Sequence, residues 1–233
     1  MTARSLIAML RSHADPDIAA HSQRFFRTEP GGYGEGDRFH GIRVPIVRKV
    51  AREGRDLSLA DVERILRSRW HEERLLALVI MVERFKKDDA TRNDLHASYL
   101  DNLDHVNNWD LVDLSAPWLL GAHLLQRDRR PIHDMAAVDS LWPQRIAVMA
   151  TLAFIRNGEY QDTLAIADRL IDHEHDLIHK AVGWMLREVG NRDRAVEEAF
   201  LADRYRTMPR TMLRYAIEKF PEPRRKAYLE GRA

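Results

Sequence analysis

The segment PQRIAVM (143–149) places a cation before an apolar run, and its recurrence along the chain indicates the fold. The same order, with Arg or Lys in third place, recurs in EERLLAL (72–78), IHKAVGW (178–184) and MLRYAIE (212–218). The gaps between successive cations are 71, 35 and 34 residues, so the first gap is close to two periods. Such a period is typical of stacked helix-pair repeats. The four cations are Arg74, Arg145, Lys180 and Arg214.

The repeat that should fall near residue 109 departs from this pattern. It reads NNWDLVDLS (107–115) and carries Trp109, Asp110 and Asp113 in place of the cation. On a helix, Trp109 and Asp113 are four residues apart and share a face. Asp113 follows two apolar residues, which predicts a partly buried carboxylate.

Glycine and proline residues divide the chain at short intervals, and the segments between them have helical period. Asp15 with Pro16 and Ser58 with Asp61 are helix-start signals. No segment alternates long enough to predict a strand. We therefore expect an all-α fold, a curved α-solenoid (superhelix) of HEAT-like antiparallel helix pairs that forms one domain over 1–233. The predicted helices cover 44–53, 59–68, 71–87, 89–103, 108–124, 131–138, 141–157, 160–171, 177–190, 193–203, 209–220 and 223–230.

The composition restricts the class of protein. The chain has 233 residues, of which 45% are hydrophobic, 31% are charged and none is cysteine. This excludes disulfides and thiolate metal sites. Arg4 and Arg11 interrupt the N-terminal apolar residues, and the longest nearly uncharged stretch (146–155) is too short to span a bilayer. We expect a soluble, cytoplasmic protein with no membrane partner.

The charge is unevenly distributed along the chain. Residues 1–87 carry 17 Lys and Arg against 12 Asp and Glu, residues 88–176 carry 7 against 16, and residues 177–233 carry 13 against 8. Two basic ends thus flank an acidic middle, which suits a polyanionic partner that contacts the ends. A chance partition of a balanced surface is the alternative.

Stacked repeats would place the four repeated cations about 10 Å apart along one face. Such a ladder of Arg74, Arg145, Lys180 and Arg214 suits a phosphate backbone. In the alternative interpretation, each cation pairs with an acid of the next repeat and only stabilises the stack.

The irregular repeat is the candidate for chemistry. Trp184 follows Lys180 by four residues, as Asp113 follows Trp109, so two indoles and a carboxylate could converge with Arg145 between them. A carboxylate between aromatic faces stabilises a developing positive charge, such as an oxocarbenium-like sugar. With a phosphate-binding ladder, the substrate would be a nucleoside in DNA or RNA. The alternatives are that the tryptophans are core residues and that Asp113 pairs with Arg145.

Other patterns are weaker. His175 and His179 are four residues apart but lack the acidic residue and the third ligand of a zinc site. The glycine-rich run 31–41 does not follow a strand, so it predicts no dinucleotide site. It is either a mobile loop that approaches a ligand or an ordinary connection. Phe25 and Phe26 are expected in the core, with one ring able to face a groove.

In these motifs the sequence resembles a known family, the AlkD-type DNA alkylation repair proteins. The likeness runs from about residue 20 to 230. This family consists of HEAT-like-repeat DNA glycosylases that excise positively charged N3- and N7-alkylpurines. The similar segments are SQRFFRTEPGGYGEGDRFHGIRVP (22–45), NNWDLVDLSAPWLLG (107–121), LWPQRIAVMATLAFI (141–155), DLIHKAVGWMLREVGNRD (176–193) and MPRTMLRYAIEKFPE (208–222).

The resemblance implies a role for individual residues. Trp109 and Asp113 match the catalytic aromatic and carboxylate, and Trp184 matches a second aromatic of the DNA cleft. Arg145 matches a cleft residue and Arg187 a contact to the DNA backbone. No metal or organic cofactor is implied.

The implied reaction needs no general acid, because an alkylated purine is already a cationic leaving group. Asp113 would stabilise the cationic deoxyribose and direct water to C1′, while the indoles press on the sugar–phosphate backbone. The lesion need not enter a base pocket, unlike in ordinary base flipping.

Two positions depart from the family pattern. Asn108 stands where the best-known members have a second tryptophan, and Phe25 or Phe26 stands near a position that is commonly tyrosine. The expected partner is alkylated duplex DNA, bound by a monomer at the nucleoid. The runner-up hypothesis is a non-catalytic HEAT-repeat protein that binds unusual or damaged DNA. A peptide-binding scaffold is the third.

Overall fold

A computed structural model describes all residues, 1–233, and confirms the prediction of an all-α fold. Extended residues pair only in one isolated parallel bridge, between Arg38 and Trp70. No helix is long and apolar enough to pass through a membrane. The chain forms two compact units, Met1–His123 and Leu124–Ala233. The single repeat domain over 1–233 stays a prediction.

The first unit contains seven α-helices. The helix of the cation mark EERLLAL is the most buried, because its middle is apolar on all sides. It packs against the two helices before it and the irregular-repeat helix after it. The helices are α1 (Ala3–Arg11), α2 (Pro16–Phe25), α3 (Val44–Glu53), α4 (Leu59–Leu66), α5 (His71–Lys87), α6 (Arg92–Asp101) and α7 (Trp109–Ser115).

The helix starts follow the signals in the sequence. Asp15 Oδ1 accepts hydrogen bonds from the backbone N–H groups of Asp17 (2.9 Å) and Ile18 (3.1 Å), so it caps α2 as expected. Ser58 Oγ likewise accepts from the backbone N–H of Asp61 (3.1 Å) at the start of α4. These caps fix where α2 and α4 begin.

The predicted single helix over 108–124 is wrong in one respect. After α7 the chain continues as a π-helix, Ala116–Ala122. Pro117 has no backbone N–H, so it cannot bond to the carbonyl of Asp113 four residues earlier. π-helical turns relieve such losses and often occur at functional sites. The change of helix type thus begins directly after the turn that carries Asp113.

The second unit contains eight α-helices. The long helix of the mark IHKAVGW packs against the other two helices that carry the mark. A Cβ at Gly183 would overlap the carbonyl oxygen of Met212, so glycine is required for this close approach. The helices are α8 (Arg130–Ala137), α9 (Leu141–Ala150), α10 (Leu152–Arg156), α11 (Gln161–Arg169), α12 (Asp176–Gly190), α13 (Arg194–Ala202), α14 (Arg210–Ala216) and α15 (Glu222–Leu229).

Three further predicted helices are divided. The segment 141–157 breaks at Thr151, whose Oγ1 donates to the carbonyl of Val148 (2.7 Å) and competes with the helical bond. The segment 89–103 begins with the 3₁₀ turn Asp89–Thr91, and 209–220 ends with the 3₁₀ turn Ile217–Lys219. Each helix packs mainly on its neighbours in the sequence, which is the arrangement of a helical-repeat fold.

Candidate functional site

Helix α7 presents the two residues that the irregular repeat singled out, Trp109 and Asp113. Asn108 is fully buried, and its Oδ1 accepts a hydrogen bond from the backbone N–H of Trp109 (2.9 Å), which caps the helix. Trp109 and Asp113 are both half-buried, one helical turn apart. Ser115 Oγ lies 3.0 Å from the hydroxyl of Tyr99 and so ties the end of α7 to α6. The helix is therefore fixed at both ends.

The indole of Trp109 packs against an aromatic cluster, which is made of Phe25, Phe26, Phe39 and His71. Phe26 stacks on Trp109 with ring centroids 5.4 Å apart and planes 20° apart. Phe25 meets Trp109 edge-on at 6.0 Å. Phe39 stacks on Phe26 at 5.0 Å. Of the two phenylalanines expected in the core with one ring able to face a groove, Phe25 is 56% exposed and Phe26 is half-buried.

A buried ion network, made of Asp37, His71, Arg74 and Asp110, lies beside the aromatic cluster. His71 Nδ1 lies 2.9 Å from Asp37 Oδ2, and His71 Nε2 lies 2.8 Å from Asp110 Oδ2. Arg74 Nη2 donates to both oxygens of Asp37, at 2.8 and 2.9 Å. Asn108 Nδ2 lies 3.4 Å from Asp37 Oδ2. The network thus joins α5 to the first turn of α7.

The charges of the network are coupled. Burial alone would lower the pKa of His71, but the negative charge of Asp110 and the hydrogen bonds to both carboxylates raise that pKa to about 9. Burial alone would raise the pKa of Asp37, but the hydrogen bond from His71 and the charge of Arg74 hold that pKa below its usual range. At neutral pH the network therefore holds two cations and two carboxylates.

The loop 27–41, which includes the glycine-rich run, supplies Asp37 and Phe39. Its first residue, Arg27, has a φ of 49°, a left-handed conformation. A Cβ at Gly34 would overlap the carbonyl oxygen of Phe26, so the loop passes close behind the aromatic cluster. Tyr33 donates its hydroxyl to the carbonyl of Phe25 (3.2 Å). The glycines therefore allow the backbone to fold tightly against the rings.

Two buried glutamates of α5 hold the end of this loop. Glu72 accepts hydrogen bonds from the backbone N–H groups of His40 (2.9 Å), Gly41 (2.8 Å) and Ile42 (3.1 Å). Glu73 accepts from Arg11 Nε (2.7 Å) and contacts His40 Nε2 (2.9 Å). The start of α5 is thus the anchor for the loop as well as for the ion network.

Arg74 does not lie on an open face, contrary to its expected place in the ladder of cations. Only 4% of it is exposed, and it bonds to Asp37 and to the carbonyl oxygen of Ser68 (3.1 Å). Its charge is therefore satisfied inside the first unit. At this position the cation stabilises the packing, as in the alternative interpretation, but its partner Asp37 lies 37 residues before it and not in the next repeat.

The other marked cations lie in the second unit and differ from one another. Arg145 is buried, and its Nη1 donates to the carbonyl oxygen of Leu177 (2.5 Å). Lys180 is half-buried, and its Nζ lies 2.6 Å from Asp176 Oδ2. Arg214 is exposed. The repeated mark thus defines a helix position and does not define a common degree of exposure.

The remaining predicted residues of the second unit lie on α12. Trp184 is half-buried and donates its Nε1–H to Glu188 Oε1 (3.3 Å). Arg187 is half-buried and paired with Glu218. The predicted approach of Trp184 and Arg145 to Trp109 and Asp113 stays a prediction.

The histidines near residue 175 have structural partners. His175 Nδ1 accepts from the backbone N–H of Leu177 (3.1 Å) and caps α12, and His179 Nε2 contacts the carbonyl of His173. His173 Nε2 contacts Gln144 Oε1 (2.9 Å). No group of three or more His, Asp or Glu side chains in the chain is placed to hold a metal ion.

Sequence reasoning did not find the buried ion network. Its members are separated by 34 residues (Asp37 to His71) and 39 residues (His71 to Asp110), so no local spacing reveals them. One signal was available in the sequence HEER (71–74), four polar residues in one turn at the start of an otherwise apolar helix. Such a turn needs partners if it is buried.

The helices and their packing are those of an all-α helical-repeat protein. Residues 6–220 match the family described as DNA alkylation repair enzyme, and the chain belongs to this family. Among solved structures, it is similar to a predicted DNA alkylation repair enzyme from Enterococcus faecalis, with 14% identity and a TM-score of 0.68. That match covers 90% of this chain and 98% of the other, and it shows the shared fold. No curated protein sequence matches the chain significantly.

Proposed function

We propose that this DNA repair protein is a DNA glycosylase that hydrolyses the N-glycosidic bond of cationic N3- and N7-alkylated purines in duplex DNA. One observation carries the proposal: the half-buried carboxylate of Asp113 lies one turn from Trp109, whose ring is backed by the aromatic cluster. Membership in the DNA alkylation repair family supplies the substrate class. A rigid indole beside a carboxylate is suited to a cationic sugar.

The chemistry follows from the charge of the lesion. In the proposed reaction the C1′–N bond breaks and its electrons pass to the purine, which leaves as a neutral base. The oxygen of a water molecule bonds to C1′, and Asp113 accepts the proton that the water loses. Asp113 also stabilises the oxocarbenium-like deoxyribose by Coulomb attraction, so no metal or organic cofactor takes part.

The second unit supplies the proposed DNA contacts. Arg214 is exposed and Lys180 has an exposed side, so both are suited to phosphate groups. Trp184 is proposed to press on the sugar–phosphate backbone, with Arg187 as a further contact. Arg74 and Arg145 are both buried, and they bond to Asp37 and to the carbonyl oxygen of Leu177, respectively. We therefore assign Arg74 to the interior of the first unit and Arg145 to the interior of the second, and not to DNA. The protein is proposed to act as a cytoplasmic monomer on the nucleoid, without a base pocket.

The test is release of 7-methylguanine from methylated duplex DNA under single-turnover conditions. The Asp113→Asn variant should lose release by about 100-fold or more while its affinity for DNA changes little, because only charge stabilisation in the transition state is removed. The matched control is Asp101→Asn, which neutralises an exposed acid at the end of α6. Tight DNA binding by the wild-type protein without base release would support the non-catalytic alternative.

A further inference from the structure

We propose that His71 is a positioning residue for this reaction: as an imidazolium it holds Asp110, and with it the start of helix α7, which carries Trp109 and Asp113. This inference rests on the proposed glycosylase function and adds a residue outside the reacting groups. His71 touches neither Trp109 nor Asp113 by a hydrogen bond. It acts through Asp110 and through Phe26.

The hydrogen-bond geometry requires the charged form of the ring. Both nitrogens of His71 face carboxylate oxygens, one of Asp37 at 2.9 Å and one of Asp110 at 2.8 Å. An ionised carboxylate only accepts hydrogen bonds, so both ring nitrogens must donate, and a histidine that donates twice is an imidazolium. The two carboxylates belong to different elements, the loop 27–41 and α7.

Two phenylalanines of the aromatic cluster pack against the same ring. Phe39 stacks on His71 at 4.6 Å with planes 24° apart, and Phe26 lies 4.9 Å away. Phe26 also stacks on Trp109, so one phenyl ring separates the imidazolium from the indole. Only 3% of the His71 side chain is exposed. The ring therefore cannot turn without displacing the support of Trp109.

The charges around His71 balance only when the ring is protonated. Asp37 faces it from the loop, Asp110 from α7, and Arg74 lies one turn further along α5. Arg74 pairs with Asp37, which leaves His71 as the cation for Asp110. The other carboxylate oxygen of Asp110, Oδ1, is buried and has no hydrogen-bond donor. Loss of the proton would leave Asp110 with an uncompensated charge.

The other titratable groups nearby have different partners. Glu72 is bonded to backbone N–H groups of the loop, and Glu73 to Arg11 and His40. Burial and the positive charge of Arg74 lower the pKa of His105, which lies on the turn before α7. None of these groups can replace the charge of His71 at Asp110. The raised pKa of His71, about 9, agrees with this arrangement.

The first measurement is independent of catalysis. In protein labelled with ¹⁵N-histidine, His71 is assigned by its loss in His71→Asn, and its ring signals are followed from pH 6 to 10. Both nitrogens should show imidazolium shifts at neutral pH and titrate together near pH 9. A neutral ring at pH 7 overturns the proposal.

The second measurement is the single-turnover rate of base release over the same pH range, after subtraction of the spontaneous loss of base. The wild-type rate should fall by up to tenfold per pH unit above about 9 while DNA affinity is unchanged. His71→Asn should be about 100-fold slower, with no inflection near pH 9, because displacement of the reacting groups by about 1 Å costs this much. Asp110→Asn should move the inflection to lower pH, because it removes the larger source of the raised pKa.

A control variant separates this effect from general loss of an ion-paired histidine. His133 in the second unit lies 2.8 Å from Asp162, and His133→Asn should leave the inflection near pH 9 in place. If the wild-type rate of base release stays constant while His71 titrates, the positioning role is contradicted and the proposed glycosylase function is not. Absence of base release at every pH contradicts the proposed function and this role with it, whatever the titration shows. If His71→Asn does not fold, the wild-type profile and Asp110→Asn decide the question.

Discussion

Asp110 Oδ2 lies 2.8 Å from His71 Nε2, and this contact joins α5 to the turn that presents Trp109. Helix α5, which carries the first cation mark, therefore supports the irregular repeat 35 residues later. The contact is made by His71 and not by the marked cation, Arg74. Arg74 itself holds Asp37 on the other side of the ring. The position of Trp109 thus depends on polar contacts between residues that are far apart in the sequence, as well as on the aromatic cluster.

The stability of the protein should depend on pH through His71. Its pKa is raised from 6.5 to about 9 in the folded state, so the stabilising proton is fully bound below pH 6.5 and is lost as pH rises through 9. The free energy of unfolding should fall by on the order of 3 kcal/mol over this window, at 1.36 kcal/mol per pKa unit. Urea denaturation at pH 6.5 and 9.5 measures it. A His71→Asn protein that shows the same fall would contradict this assignment.

Glu197 should contribute a second pH dependence, in the second unit. Burial raises its pKa to about 8, and its carboxyl packs so closely on Gly190 that a Cβ there would overlap Oε2. The folded state binds a proton that the unfolded state lacks, so stability is lost as pH rises from about 4.5 through 8. Glu197→Gln stays neutral and should match the wild type at pH 5 but exceed it at pH 9, by on the order of 1–3 kcal/mol. Unfolding curves of both proteins at pH 5 and pH 9 test this prediction. If Glu197→Gln were more stable than the wild type by the same amount at pH 5 as at pH 9, titration of Glu197 would not be the cause.

Phe26 and Phe25 should differ sharply on truncation. Phe26 stacks on Trp109, Phe39 and His71, so Phe26→Ala should destabilise the protein by about 2–3 kcal/mol and slow base release. Phe25→Ala removes an exposed ring and should cost less than about 1 kcal/mol. Denaturation and single-turnover rates compare the pair. Equal losses of stability would show that the stacking is not what supports the indole.

Arg74 and Arg214 occupy equivalent places in the sequence pattern but should behave differently. Arg214→Gln should weaken DNA binding and reduce the slope of log affinity against log salt by about 1, because an exposed phosphate contact is lost. Arg74→Gln should instead destabilise the fold by about 3–5 kcal/mol, because it removes one of the two cations that are bonded to the buried carboxylate of Asp37. Salt titrations of DNA binding and urea curves for both variants provide the test. A changed salt slope in a fully folded Arg74→Gln protein would restore Arg74 to the DNA surface.

The sequence predicted what depends on local patterns. The helix 71–87 was predicted with the bounds that the structure has, because its apolar run and flanking signals are local. The turn with Trp109 and Asp113 was found because it interrupts a period. The π-helix after Asp113, the burial of Arg74 and the exposure of Phe25 depend on tertiary packing, which no spacing encodes. The ion network joins residues from three separate elements and needed coordinates to be seen.

In the proposed reaction, cleavage of the glycosidic bond in alkylated DNA depends on Asp113. The most direct measurement uses a duplex with a single 7-methylguanine and quantifies the free base and the abasic site together, for the wild type, Asp101→Asn and Asp113→Asn. We predict equal amounts of both products, formed at similar rates by the wild type and Asp101→Asn and at least about 100 times more slowly by Asp113→Asn. Base release by Asp113→Asn at the wild-type rate would contradict the proposed role of Asp113 in catalysis.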